Sequence, residues 1–334
     1  MSLTLQLLLM LAIIFLAAEL FTNALEHYGE RLGLSDGVTG SLLAAMATAM
    51  PESTIPIVAI FGGTASVKTS TDIGVGAILG APLMLATLTM FLTGLAVLSR
   101  RGWHGKLAPG GNGLARDLTF FLLGFGVACL GFALPTSYHL ARVFLALALI
   151  GVYLGYVFRV FATNAQLNRE GHGTRAHGPL HLCRVGLPDH VAVVVLQLGL
   201  GLGLLIFGAE GCVIAVTTAA AHWGVSALLL SLLLVPVATE LPENINSVLW
   251  IRRGKDTLAL GNISGAMVFQ GCLLPALGIL VTPWSPTPAI LAGAAVTYAS
   301  AGWLCWQARR GGVRIWHVGI SGALYLGYVA SLLM

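Results

Sequence analysis

Charge is what this sequence lacks most. Asp, Glu, Lys and Arg make up 9% of its 334 residues, against about 25% in a soluble domain. A surface so poor in charge is not built for water. Apolar residues account for 57% of the chain, and the mean hydropathy is +0.89. No Lys or Arg precedes Arg31, so the apolar N-terminus lacks the basic flank of a cleavable signal and reads as a first membrane span. The five cysteines form no CxxC pair; four of them (Cys129, Cys212, Cys272, Cys305) fall in apolar runs and read as small packing residues. There is no P-loop, no dinucleotide fingerprint and no nucleophile–base pattern. The net charge of +4 is spread over loops and suggests no basic groove, so no nucleic-acid partner is expected.

What is present is a succession of apolar runs of roughly 20 residues, the signal of transmembrane helices. Runs and breaks predict an all-α membrane protein of ten transmembrane helices, over residues 3–31, 36–61, 71–99, 116–134, 137–161, 188–220, 225–251, 257–281, 286–307 and 314–333. Ten spans put both termini on one side. Of the 17 basic residues, all but Lys68 and Arg142 then fall in loops of the other side, which the positive-inside rule makes cytoplasmic. The expected location is an inner (cytoplasmic) membrane of bacterial type, multi-pass, with the termini outside and the lipid bilayer as partner. The polar segment 161–187 reads as a cytoplasmic linker between residues 1–160 and 188–334. Its His172, His177, His181 and His190 fit no recognised metal spacing.

The two halves echo each other. "AAELFTNALEHYGERLGLSDG…ATAMPES", from Ala17, aligns without a gap on "GAEGCVIAVTTAAAHWGVSAL…ATELPEN", from Gly208. Glu19/Glu210, Gly33/Gly224, Ser35/Ser226, Thr48/Thr239, Pro51/Pro242 and Glu52/Glu243 recur at one constant offset. Five spans, an odd number, separate the copies, so the expected architecture is two inverted-topology five-helix repeats. That is a secondary-transporter plan with its site near mid-membrane.

Each repeat carries Pro-Glu inside its second helix. Proline has no N–H, so Pro51 leaves the carbonyl of Ala47 without its helical donor and Pro242 does the same to Ala238. An unpaired carbonyl in lipid costs several kcal/mol, and a mid-membrane carboxylate costs roughly 2.5–3.5 kcal/mol on insertion scales. A cation bound between the two copies compensates both. Glu52, Glu243, the Thr48 and Thr239 hydroxyls and the freed carbonyls would form an oxygen cage of the kind Ca²⁺ prefers, with its 6–8 ligands.

"GLSDGVTGSLLAAMATAMPES" and "GVSALLLSLLLVPVATELPEN" resemble the two alpha repeats of the sodium/calcium exchanger membrane family, within the wider cation/calcium exchanger superfamily. The family's Gly-Thr-Ser-Leu-Pro-Glu signature is followed by an Asp-x-Ala-x-Gly-Asn-x-x-Gly-Ser-Asn element, which appears here as "DIGVGAILGAPLML" and "DTLALGNISGAMVFQ". The resemblance implies ten helices, alternating access and exchange of Ca²⁺ or a related divalent cation for a monovalent ion, with no covalently bound cofactor. It carries the metal-ligand roles onto Thr48, Glu52, Thr239 and Glu243. The chain departs from the pattern at Ala49 and Glu240, where the family has Ser, and at Ala81 and Ala266, where it has a Ser resembling a sodium ligand. It departs again at Pro82, Met267, Leu85 and Gln270.

Glu240 precedes Glu243 by one helical turn, so both share a face. Three carboxylates around one Ca²⁺ leave excess negative charge, so one would hold a proton when calcium is absent. Na⁺ and H⁺ therefore both stand as counter-ions. Asn262, Asn244 and Gln270 are candidate oxygen donors, Glu19 and Glu210 either line an ion path or bond a neighbouring helix, and Asp72 and Asp256 are placed to favour helix starts. Two other functions compete with antiport. A transporter-derived protein with degenerate ion sites could act as a sensor or assembly partner, and Glu52 with Glu243 could form the acid/base pair of an intramembrane enzyme.

Overall fold

The computed structural model describes residues 3–31, 50–62, 66–107, 109, 112–169, 178–252 and 254–333. Within them the chain is built almost wholly from helices: α1 (Leu3–Arg31), α2 (Met50–Phe61), α3 (Val67–Arg101), α4 (Gly113–Leu130), α5 (His139–Arg169), α6 (Val191–Trp223), α7 (Ala227–Thr239), α8 (Leu241–Arg252), α9 (Asp256–Val281), α10 (Pro288–Arg309) and α11 (Ile315–Leu333). Two short strands, β1 (Lys106–Leu107) and β2 (Val313–Arg314), pair antiparallel and tie the loop after α3 to the turn before α11. Seven of the described helices are long and apolar enough to cross a membrane, and shorter apolar stretches lie at Leu5–Phe21, Glu52–Phe61 and Ala227–Val237.

Burial separates these helices into two kinds. In α3 and α9, 83% and 78% of the apolar window is enclosed by other helices, against 28% in α5. A helix apolar all round belongs in a core, and α3 and α9 form it. On α5, Leu140, Phe144, Leu147, Leu154 and Phe158 point outward, while Leu149, Tyr153, Tyr156 and Val160 point in. In a bilayer the outward stripe meets acyl chains.

The core is held by small residues. Gly76 and Gly80 of α3 lie against α7, where a Cβ at Gly76 would come within 2.8 Å of the Leu228 carbonyl oxygen. Such close approach lets two backbones share dispersion contacts that lipid cannot supply. Ser231 of α7 donates to the Ile73 carbonyl at 2.6 Å across the same seam. On the other side of the core, Gly124 of α4 sits on Cys272 of α9, and Gly271 of α9 sits on Phe121. Cys212 and Cys272 are both fully buried packing residues.

Several boundaries differ from those expected. α3 starts at Val67, earlier than residue 71, because Ser66 caps it by accepting from the Thr69 N–H at 3.2 Å. Asp72 therefore caps nothing. Asp256 does lie in the first turn of α9, and its carboxylate also binds Arg101 at 2.6 and 2.7 Å. α5 continues to Arg169, past residue 161, into the segment taken as linker. Within α3 the ladder widens to a π turn over Leu85–Thr89, just after Pro82. Ser300 of α10 donates to the Ala86 carbonyl there at 2.7 Å, supplying a donor where the regular ladder is disturbed.

Candidate functional site

The span expected over 225–251 is two helices. α7 ends at Thr239, Glu240 occupies the turn, and α8 begins at Leu241. The join is tight: the Glu240 N–H donates to the Pro236 carbonyl at 2.9 Å, and the Glu240 carbonyl accepts from Asn244 at 3.0 Å. Pro242 is thus the second residue of α8, a first-turn position where a missing N–H costs nothing. Pro242 begins a helix here more than it interrupts one. Ala238 stands in the last turn of α7, where Pro242 cannot donate to its carbonyl. Two further prolines lie inside the helices, Pro56 in α2 and Pro236 in α7.

The polar side chains at this break, and others singled out from sequence, are dry. Glu52, on α2, is 2% exposed, Thr239 is 1% exposed and Glu240, Asn262 and Gln270 are fully buried. Gln270 reaches from α9 and donates through Nε2 to Glu240 Oε1 at 3.1 Å. Thr239 Oγ1 donates back to the Val235 carbonyl at 3.1 Å, leaving its lone pairs available. Asn244 is also buried, and neither of its polar atoms has a hydrogen-bond partner among the described residues; the same is true of Gln270 Oε1. Buried amides are normally satisfied, so these orphaned atoms mark a place where a polar guest belongs.

Of the residues singled out from sequence, Glu240 and Gln270 are brought into contact, and Glu52, Thr239 and Asn262 are buried. Ala47 and Thr48 lie outside the described residues. Glu243 falls on α8 and Ala238 on α7, and their side chains are outside the described set. Glu19 is 59% exposed on α1, with its carboxylate 3.8 Å from His181 Nε2, and Glu210 is exposed on α6. His190 caps α6 by accepting from the Ala192 N–H at 3.2 Å. Among the described residues no group of three or more His, Cys, Asp or Glu side chains is placed to hold a metal ion.

One buried carboxylate escaped the sequence reading. Asp117 of α4 is 1% exposed, receives Arg116 Nε at 2.8 Å and accepts from Ser264 Oγ of α9 at 2.8 Å. Its signal was available: an acidic residue just inside an apolar run. It was masked by the basic loop residue beside it.

The arrangement is that of a packed helical core with acidic and amide groups buried in it, on a fold that known proteins share. A family model described as "Sodium/calcium exchanger protein" matches residues 2–162 and 193–334. A putative antiporter CaxA from Alkalimonas amylolytica is 26% identical over 276 residues, covering 82% of this chain and 79% of the relative. Inner membrane protein YrbG of Escherichia coli (strain K12) is 24% identical, covering 83% of this chain and 79% of its own. Among solved structures, the H⁺/Ca²⁺ exchanger CAX superposes with a TM-score of 0.78 at 16% identity, covering 100% of this chain and 82% of that one. The sodium–calcium exchanger NCX_Mj superposes with a TM-score of 0.64 at 20% identity, covering 99% of each. At such identities the superpositions speak for the fold, and it is the family model, matched over nearly the whole length, that decides membership: this multi-pass membrane chain belongs to the sodium/calcium exchanger protein family.

Proposed function

We propose that the chain is a secondary-active antiporter that exchanges Ca²⁺, or a related divalent cation, against H⁺ by alternating access. In this reading ten spans form two inverted five-helix halves, residues 1–160 and 188–334, joined by a cytoplasmic linker at 161–187, with both termini outside. Glu52 and Glu243 face each other across the pseudo-symmetry axis, and Thr48, Thr239, Ala47 and Ala238 add hydroxyl and carbonyl oxygens. Glu240, Gln270 and Asn262 complete the lining.

The observation that carries the proposal is Glu240. It is a carboxylate fully withdrawn from solvent, set in the turn between α7 and α8 and held by Gln270 of α9. An intramembrane acid is expensive unless it binds something, and hydrated Ca²⁺ and H⁺ are the two species that such a group handles in turn. Preference for H⁺ over Na⁺ comes from what surrounds it. Ala81, Leu85, Ala266 and Met267 are apolar and buried at the places where the family resemblance puts oxygen ligands. Those positions offer a sodium ion nothing from their side chains.

The test is ⁴⁵Ca²⁺ uptake into proteoliposomes. An imposed pH gradient should drive it, and Glu52→Gln, Glu240→Gln or Glu243→Gln should reduce it to background. Uptake at the wild-type rate in all three variants would remove the site assignment. Uptake driven by a Na⁺ gradient and indifferent to pH would replace H⁺ with Na⁺.

A further inference from the structure

Asp117 takes no part in the proposed ion cage, yet it is among the most thoroughly buried charges described. A buried ion pair contributes little net stability, because desolvation consumes most of its Coulomb energy; its best-attested use is to fix register. The register at stake is that of α9 against α4. The apolar part of that seam is smooth: Gly124 on Cys272, Gly271 on Phe121 and Gly131 on Ile279 are contacts without direction. Glycine-lined surfaces pack closely but let a helix rotate or slide at little cost.

Besides the Gln270–Glu240 bond, directional contacts hold α9 at its two ends and at Ser264. Its far end is held by Arg142 of α5, which donates to the carbonyls of Ile279 and Thr282 and, at 3.2 Å each, to those of Leu134 and Pro283. Its first turn is held by the Arg101–Asp256 pair. Between them the bond from Ser264 ties α9 to Asp117 of α4, and Ser264 lies on α9 between Asn262 and Gln270. Ser264 is about 120° around the helix from Gln270, so it anchors a different face of α9 from the one that reaches Glu240.

The Ser264 hydroxyl has one proton and two acceptors, Asp117 Oδ2 at 2.8 Å and the Leu260 carbonyl at 2.7 Å. The charged acceptor is the stronger, so the interhelical bond prevails over the local one. Arg116 binds the other oxygen through Nε at 2.8 Å and Nη2 at 2.8 Å, and lies 5.9 Å from the Tyr156 ring. The carboxylate is thereby oriented before Ser264 meets it.

We infer that Asp117, aimed by Arg116, is a positioning residue for cation binding: through Ser264 it sets the rotation and height of α9, and so the placement of Gln270 against Glu240. This rests on the ion site proposed above. The experiment is half-saturation of Ca²⁺ uptake in proteoliposomes, alongside yield and thermal midpoint of the purified protein. Ser264→Ala should raise the half-saturating Ca²⁺ concentration roughly tenfold, the lower end of what lost outer-shell contacts cost metal sites. Ser264→Thr, which keeps the hydroxyl, should restore it. Asp117→Ala should act alike, and the double variant should be no worse than either single one, because both remove one interaction. Should Asp117→Ala fail to fold, the Ser264 pair carries the test. Half-saturation within twofold of wild type in a well-folded Ser264→Ala, with uptake still abolished by Glu52→Gln, overturns this inference alone. Undiminished uptake in Glu52→Gln overturns the site reading instead, while the Ser264 comparison still reports on whatever flux remains.

Discussion

Replacing Gly80 by alanine adds one methyl group at the closest approach of α3 to α7. A Cβ built there overlaps the Leu232 carbonyl oxygen and comes within 2.7 Å of Pro236 Cγ. Carbon atoms rest about 3.5–4.0 Å apart, so α7 would have to withdraw by about 1 Å. Neither obstacle is a flexible side-chain tip: one is backbone and the other a proline ring, and Pro236 accepts the N–H of Glu240. The displacement therefore passes into the turn that carries Glu240. Overpacking of this kind costs about 1–3 kcal/mol. The matching control is Gly203→Ala on α6, where a Cβ meets nothing within 4 Å and the better helix propensity of alanine is worth about 0.5–1 kcal/mol. Thermal unfolding of both variants in detergent, with Ca²⁺ uptake after reconstitution, should show Gly80→Ala less stable and slower and Gly203→Ala unimpaired. A Gly80→Ala protein with the wild-type midpoint and rate would falsify the close-packing argument for the α3–α7 seam.

Two further outcomes concern the polar ties of α9. Arg142→Met removes a guanidinium bound to four carbonyls; bonds to charged groups are worth about 1.5–3 kcal/mol each before non-additivity, so a loss of at least about 3 kcal/mol should appear as a lower thermal midpoint. Arg101→Ala leaves the Asp256 carboxylate, 4% exposed, without its two-pronged partner. A loss of about 2–3 kcal/mol is expected, and Arg101→Lys should recover only part of it, since an ammonium cannot reproduce the paired geometry.

The helical plan was written in the apolar runs, and the Pro-Glu echo pointed to the break between α7 and α8. The position of that break was not legible. Pro242 looks like the interrupter, but proline is welcome in a first helical turn, and the chain turns at Glu240, whose own N–H remains bonded to Pro236. The π turn at Leu85–Thr89 was equally hidden, as was the donor that Ser300, distant in sequence, supplies to Ala86. Asp117 was visible as an acid just inside an apolar run, but its role was not, because that comes from Ser264 on another helix. Asp256 lies in the first helical turn as its position suggested, but its pairing with Arg101 was hidden for the same reason, because only the fold brings that guanidinium near. Linear spacing carries the helices and their apolar faces, whereas the cross-chain polar contacts exist only once the helices are packed.

The seams that build this core nearly all join the first part of the chain to the last. α3 lies on α7, α4 on α9, and α1 along α6. A ribosome that has released only the segment up to α5 has made helices whose glycine faces wait for partners not yet synthesised. Gly76, Gly80 and Gly124 would meet lipid in the interim, a poor substitute for a neighbouring backbone. Assembly is therefore late and concerted, and separately expressed halves should stay incomplete until each meets the other in the same membrane.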